Sequence, residues 1–105
     1  MPFHELAGVE VQVSEEGFLV DRNQWTPAMA KAIADELGVG PLTERHWKVI
    51  SFCREDTARS GHAPDLGRIA EFSGVGRNEL SQLFPTGPGK LAARISGLPK
   101  PQGCI

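Results

Sequence analysis

Glycine, proline and capping residues divide the sequence after residue 25 into five short segments with helical character. A helix starts where a side chain can accept the free backbone N–H groups of its first turn, and Thr26-Pro27 and Thr43 provide such starts. It ends where a glycine can adopt a left-handed conformation, as at Gly38 and Gly61. The pattern therefore predicts several short helices. Their predicted ranges are 27–37, 44–60, 65–73, 77–84 and 89–96.

The first twenty residues show the alternation of a half-buried strand instead. The stretch GVEVQV places Val9, Val11 and Val13 on one face and polar side chains on the other. A turn and a second apolar run follow it, which indicates a returning strand. The predicted strands are 4–6, 8–13 and 18–20. Together with the helices they predict an α+β fold, in which a small N-terminal antiparallel β-meander packs on a bundle of about five helices.

The composition fits one globular domain, which we assign to residues 1–97. The 105 residues are 40% hydrophobic and 23% charged, with a formal net charge of −2. This balance argues against a strongly basic surface for nucleic acid or anionic lipid. No signal peptide or membrane-length apolar run is visible, so the cytoplasm is expected and a membrane partner is not. The three histidines and two cysteines lack zinc-like spacing, so neither a metal nor another cofactor is predicted.

The last eight residues, LPKPQGCI, predict a flexible C-terminal arm that carries Cys104. Pro99 and Pro101 restrict the unfolded arm and favour an extended conformation, in which residues 97–105 could reach roughly 28 Å. Gly103 leaves one side of Cys104 open to an approaching reactant. A thiol reacts as its thiolate and needs access, so Cys104 is the candidate nucleophile. The alternative is a disordered tail with an incidental cysteine.

Two cationic residues accompany this candidate, and a second cysteine competes with it. Lys100 and Arg94 would favour a thiolate and are predicted to help dock a partner. Cys53 falls on the same predicted helix face as Trp47 and Ile50, which indicates a small core residue. The less favoured interpretation makes Cys53 a resolving partner that forms a disulfide with the arm.

The C-terminal sequence resembles the signature end of the DsrC/TusE family of sulfur-relay proteins. The resemblance begins at LFPTGPGK (83–90) and continues through Gly97-Leu-Pro-Lys-Pro101 to the penultimate Cys104. Upstream agreement is looser but in order, and it extends the resemblance over nearly the whole chain. The upstream matches are Gly17-Phe18-Leu19, Trp25, LTERHW (42–47), Phe52 and Arg54.

The resemblance implies a DsrC-like fold and a sulfurtransferase of low turnover that acts from protein to protein. In this family the penultimate cysteine accepts sulfane sulfur as a persulfide from an upstream sulfurtransferase and passes it to an acceptor protein. One branch serves thiolation of the tRNA wobble uridine, and the other serves dissimilatory sulfite reductase and its electron-transfer partners. A sulfur-oxidation relay distinct from both branches is a further alternative. The second branch carries another cysteine eleven residues upstream, where this chain has Ala93. The resemblance therefore implies a single-thiol relay carrier rather than a two-cysteine protein.

A different class of function competes for residues 67–84, GRIAEFSGVGRNELSQLF. Their glycine turn between two apolar segments matches a helix-turn-helix pattern. A DNA reader would present four side chains to the groove: Arg77, Asn78, Ser81 and Gln82. The acidic residues Glu71 and Glu79 lie within the motif, whereas DNA binding usually requires a basic footprint. Nucleic acid is therefore not expected as the main partner. A plain interaction subunit without sulfur chemistry is the third possibility.

Overall fold

The computed structural model describes residues 2–101 and has the predicted α+β architecture. The two strands β1 (Phe3–Leu6) and β2 (Val9–Gln12) form an antiparallel hairpin, with Phe3 opposite Gln12 and Leu6 opposite Val9. Ala7 and Gly8, at φ 52° and 80°, connect them in the tight turn that a right-twisted hairpin requires. The predicted third strand is reduced to one bridge between Val13 and Leu19.

Five helices follow the hairpin, each within one residue of its predicted bounds. They are α1 (Pro27–Glu36), α2 (Glu44–Ser60), α3 (Leu66–Phe72), α4 (Arg77–Leu83) and α5 (Pro88–Ile95). The Thr26 hydroxyl accepts the Met29 backbone N–H at 3.2 Å, as expected of an N-cap. At the start of α2 the Thr43 backbone N–H donates to Nδ1 of His46 at 3.0 Å. His46 thus takes the place that Glu or Gln holds in a common capping box.

The short helix α5 lies in the centre of the structure and contacts each of the other four helices. Its buried face includes Ile95 and the small residues Gly89, Ala92 and Ala93, and the small residues allow close approach of neighbouring elements. The surrounding core includes Val11, Phe18, Met29, Ile33, Val49, Ile50, Cys53, Ile69, Leu80, Phe84 and Leu98. Val9 does not join this core, although the strand pattern predicted it inward; it lies next to the hairpin turn and is 47% exposed.

Candidate functional site

The C-terminal segment is described as far as Pro101, so the predicted nucleophile Cys104 and its neighbour Gly103 lie outside the described residues. Residues 98–101 do lie within them. The Leu98 side chain is fully buried, Pro99 and Lys100 are exposed, and Pro101 is buried. The chain therefore still contacts the domain beyond residue 97, where the sequence predicted the arm to begin.

Trp25 and Arg54 hold the C-terminal end of α5, from which this segment starts. The Trp25 indole Nε1 donates to the Ile95 carbonyl at 2.8 Å, and Arg54 Nη1 donates to the Ser96 carbonyl at 2.8 Å. The Arg54 guanidinium also lies 4.2 Å from the centre of the Trp25 ring, a cation–π arrangement. The last carbonyls of a helix have no partner within it, so these two donors satisfy groups that would otherwise need water.

Gly97 turns the chain out of α5 in a Schellman motif. The Leu98 N–H donates to the Ala93 carbonyl at 3.0 Å and the Gly97 N–H to the Arg94 carbonyl at 3.1 Å. Gly97 has φ +71°, a conformation that favours glycine. A Cβ atom at this position would lie 2.6 Å from Cγ and 2.7 Å from Cβ of Trp25. The exit direction of the C-terminal segment is therefore fixed by backbone geometry and by the Trp25 side chain.

Glu16 binds Lys100 and also contacts Lys90 of α5. The Glu16 carboxylate lies 3.2 Å from Nζ of Lys100 and 3.3 Å from Nζ of Lys90. Hydrogen bonds from Lys100 and then Lys90 lower the pKa of Glu16. Glu16 stands in the turn after β2, where the Gly17 N–H donates to the Ser14 carbonyl. This turn thus contacts the C-terminal segment at a predicted docking residue.

Arg94 belongs to the body of α5 and lies against Gly17. A Cβ atom on Gly17, which has φ +88°, would lie 2.8 Å from Cζ of Arg94, so any other residue here would have to displace the guanidinium. Its Nε is buried and has no hydrogen-bond partner among residues 2–101. The side chain lines a cleft of about 260 Å³ between β1, the turn after β2 and α1.

Cys53 is a core residue, as the helix pattern predicted. It is 1% exposed, and burial followed by the charge of Asp56 raises the pKa of its thiol to about 12. A thiol in such surroundings is almost entirely protonated at neutral pH and reacts slowly. Ala93, at the position where one family branch carries its second cysteine, is buried as well, at 2% exposure.

Asp56 forms the most buried ion pair among the described residues. This pair lies away from the C-terminal segment. Its carboxylate is 2% exposed and accepts two hydrogen bonds from Arg68, each of 2.8 Å. These hydrogen bonds hold the pKa of Asp56 below its usual value. The pair joins α2 to α3, and its bidentate geometry is the strong form of an arginine–carboxylate contact.

Helices α3 and α4 do pack against each other as the helix-turn-helix alternative requires. The four predicted groove residues Arg77, Asn78, Ser81 and Gln82 are exposed. Two of the nearby cations are neutralised, however, since Arg45 binds Glu79 at 2.7 Å and Arg68 binds Asp56. The surface therefore lacks the concentrated positive charge that a DNA backbone requires.

Sequence reasoning missed the roles of three residues at this site. The family resemblance pointed to Trp25 and Arg54 without assigning either a function, and nothing in the sequence pointed to Glu16.

Within residues 2–101, no three His, Cys, Asp or Glu side chains are grouped closely enough to hold a metal ion. Over the same range, no helix combines the length and the apolar character needed to cross a membrane.

Comparison with known proteins gives a consistent set of relatives. The model of the family described as "DsrC like protein" matches residues 5–105. Sulfurtransferase TusE of Salmonella choleraesuis is 38% identical over 106 residues, which cover 93% of this chain and 95% of that protein. The dissimilatory-type sulfite reductase gamma subunit of Nitratidesulfovibrio vulgaris is 34% identical over 98 residues, 93% of each chain.

The fold comparison agrees with these relatives. The crystal structure of dissimilatory sulfite reductase I (DsrI) superposes with a TM-score of 0.88 at 36% identity, and covers 99% of this chain and 100% of that one. The names of these relatives support sulfur relay rather than DNA binding as the function of the chain.

Proposed function

The chain belongs to the DsrC-like protein family, and on that premise we propose that it is a protein-to-protein sulfur carrier with Cys104 as its carrier thiol. The observation that carries the proposal is the family match, which extends to residue 105 and so includes the penultimate cysteine. The described geometry supports it, because Trp25, Arg54 and Gly97 define where the segment before Cys104 leaves the domain.

The proposed reaction is an exchange at sulfur without net oxidation or reduction. The Cys104 thiolate attacks the outer sulfur of a persulfide on a donor protein and forms a new S–S bond. The S–S bond of the donor breaks, and the donor cysteine leaves as a thiolate. An acceptor thiolate then attacks the outer sulfur on Cys104 in the same way, which returns Cys104 to its thiolate form. Each cycle moves one sulfur atom and regenerates the thiolate, so the protein acts as a carrier, and we propose that its turnover is low.

We propose that residues 98–105 are the arm that visits the two partners. Pro99 and Pro101 limit its conformational freedom, and Arg94 and Lys100 help dock the partner. The donor is an upstream sulfurtransferase that carries a persulfide, and the acceptor belongs to tRNA wobble-uridine thiolation or to a sulfur-oxidation or dissimilatory sulfur pathway. Residues 98–105 contain one cysteine, Cys104, and position 93, eleven residues before it, is alanine. The arm therefore delivers its sulfur to another protein instead of closing a bridge on itself. The cytoplasm stays the predicted compartment.

Mass spectrometry after incubation with a persulfide-charged sulfurtransferase tests this proposal. We expect the C-terminal peptide to gain about 32 Da, the mass of one sulfur atom, and to lose it on reduction. Cys104→Ser should abolish the gain, whereas the matched variant Cys53→Ala should retain it because Cys53 is buried. Absence of the gain with a donor that charges a control carrier would refute the proposal, and so would a gain on Cys53.

A further inference from the structure

Three basic side chains surround the turn after β2. Lys90 and Arg94 are one helical turn apart on α5, and Lys100 follows on the C-terminal segment. Lys90 and Lys100 both contact Glu16, and Arg94 lies against the adjacent Gly17. We call Lys90, Arg94 and Lys100 the basic cluster. It joins the body of the domain to the segment that leads to Cys104.

Other carboxylates could replace Glu16 in its contacts with Lys90 and Lys100. The side chains of Glu16, Lys90 and Lys100 are 45%, 37% and 41% exposed, so water and salt compete for each of these ion pairs. Within residues 2–101, Arg94 has no ion-pair partner, and its buried Nε lacks an acceptor. A carboxylate from another molecule could therefore replace Glu16 on the two lysines and gain Arg94 in addition.

We propose that the basic cluster is a docking site for an acidic segment of a partner protein, and that Glu16 occupies it until the partner's carboxylates displace it. The inference rests on the proposed function, because the partner is a protein that exchanges sulfur with Cys104. Displacement of Glu16 also frees Lys100 from the turn. The docking step would thus transfer Lys100 from Glu16 to the partner while Leu98 stays in the core.

The surroundings favour protein carboxylates over nucleic acid as the occupant. Glu15 stands next to Glu16, and Glu36 lines the same cleft as Arg94. A long polyanion would meet these carboxylates, whereas an acidic side chain needs only the space that Glu16 now fills. The Arg94 guanidinium offers paired N–H donors that match a carboxylate. The chain as a whole has a net charge of −2, which further disfavours a nucleic acid.

An NMR titration of the full-length protein with a short peptide that carries two adjacent glutamates tests the inference. We expect the amide resonances of Lys90, Lys100 and Glu16 to shift, and the affinity to fall as salt is added. Glu16→Gln should tighten peptide binding by about two- to fivefold, because it removes an internal competitor bound by two exposed ion pairs. The matched control is Glu15→Gln, which changes the net charge equally at the adjacent position. Lys100→Gln should weaken binding and reduce the effect of Glu16→Gln.

Each outcome supports or overturns the docking site. Tighter binding in Glu16→Gln than in Glu15→Gln supports it. Equal effects of the two variants would overturn it, since only general charge would then matter. Absence of peptide binding, or stronger binding of an oligothymidylate of the same charge at these resonances, would overturn it as well. The titration involves no sulfur transfer, so its failure is distinguishable from a failure of Cys104 to accept sulfur.

Discussion

Replacement of Gly97 by alanine should destabilise the protein more than the same change at any glycine with similar backbone geometry and open surroundings. Gly97 has φ +71°, and an alanine forced into the left-handed region costs about 1–2 kcal/mol. Its methyl group would also lie 2.6 Å from Trp25 Cγ, and overpacking of this kind costs about 1–3 kcal/mol. The two effects together predict a loss of about 2–5 kcal/mol in the free energy of unfolding.

Gly38 provides the matched control for this prediction. It ends α1 in the same Schellman geometry, with φ +74° and with the Val39 N–H bonded to the Ala34 carbonyl. A Cβ atom there would meet no atom within 4 Å. Gly38→Ala should therefore show only the backbone cost of about 1–2 kcal/mol. The difference between the two variants isolates the contact with Trp25.

Urea unfolding followed by circular dichroism measures both variants. The difference of about 1–3 kcal/mol is well above the error of such measurements for a chain of this size, and each kcal/mol should lower Tm by about 4–8 °C. If Gly97→Ala lost no more stability than Gly38→Ala, the argument that Trp25 closes the space around Gly97 would be wrong. Adding Trp25→Ala to the Gly97→Ala variant should relieve only part of the clash, because the Cβ of residue 25 remains 2.7 Å from the new methyl group.

Three further predictions concern two buried residues, Cys53 and Asp56, and the half-buried Trp25. Cys53→Ala should cost about 1–2 kcal/mol in urea unfolding and leave sulfur loading intact, and a loss of loading would show that Cys53 is more than a core residue. Because the pKa of Asp56 is lower in the folded protein than its ordinary 3.8, its stabilising contribution is complete above that value and is lost as the pH falls through the folded pKa. Asp56→Asn should therefore flatten the acid side of the stability–pH curve, and an unchanged slope would contradict this assignment. Trp25→Phe keeps an aromatic ring but removes the donor to the Ile95 carbonyl, so it should cost about 1–2 kcal/mol in thermal unfolding, more than the control Trp47→Phe.

Local signals explain why the helices could be predicted from the sequence. Thr26 caps α1 through an N–H only three residues away, and Gly61 ends α2 with φ +82°. Such interactions are complete within one turn, so their residue pattern is visible in the chain. The third strand lacked this kind of signal. Phe18 and Leu19 are consecutive and both 3% exposed, whereas a half-buried strand buries alternate residues.

The contacts of the candidate site join residues that are distant in sequence. Glu16 binds Lys100 across 84 positions, and Trp25 binds the Ile95 carbonyl across 70. No periodicity or cap connects such pairs, so sequence patterns could identify the individual residues but not their partners. The resemblance named Trp25 and Arg54, and the fold then showed that both contact the end of α5. Cys104 stays a prediction from the sequence and the family.

Burial of Leu98 limits how far Cys104 can reach into a cleft of a partner protein. With Leu98 held in the core, the six residues from Pro99 to Cys104 span at most roughly 19 Å in an extended polyproline conformation. A deeper cleft would draw Leu98 into solvent, at a cost of about 1.5–3 kcal/mol. If Cys104 is the carrier thiol, donors and acceptors whose reactive sulfur lies within this distance of their surface would be served while Leu98 stays buried and only Pro101 leaves its buried position. Partners with deeper clefts would bear the additional cost of exposing Leu98.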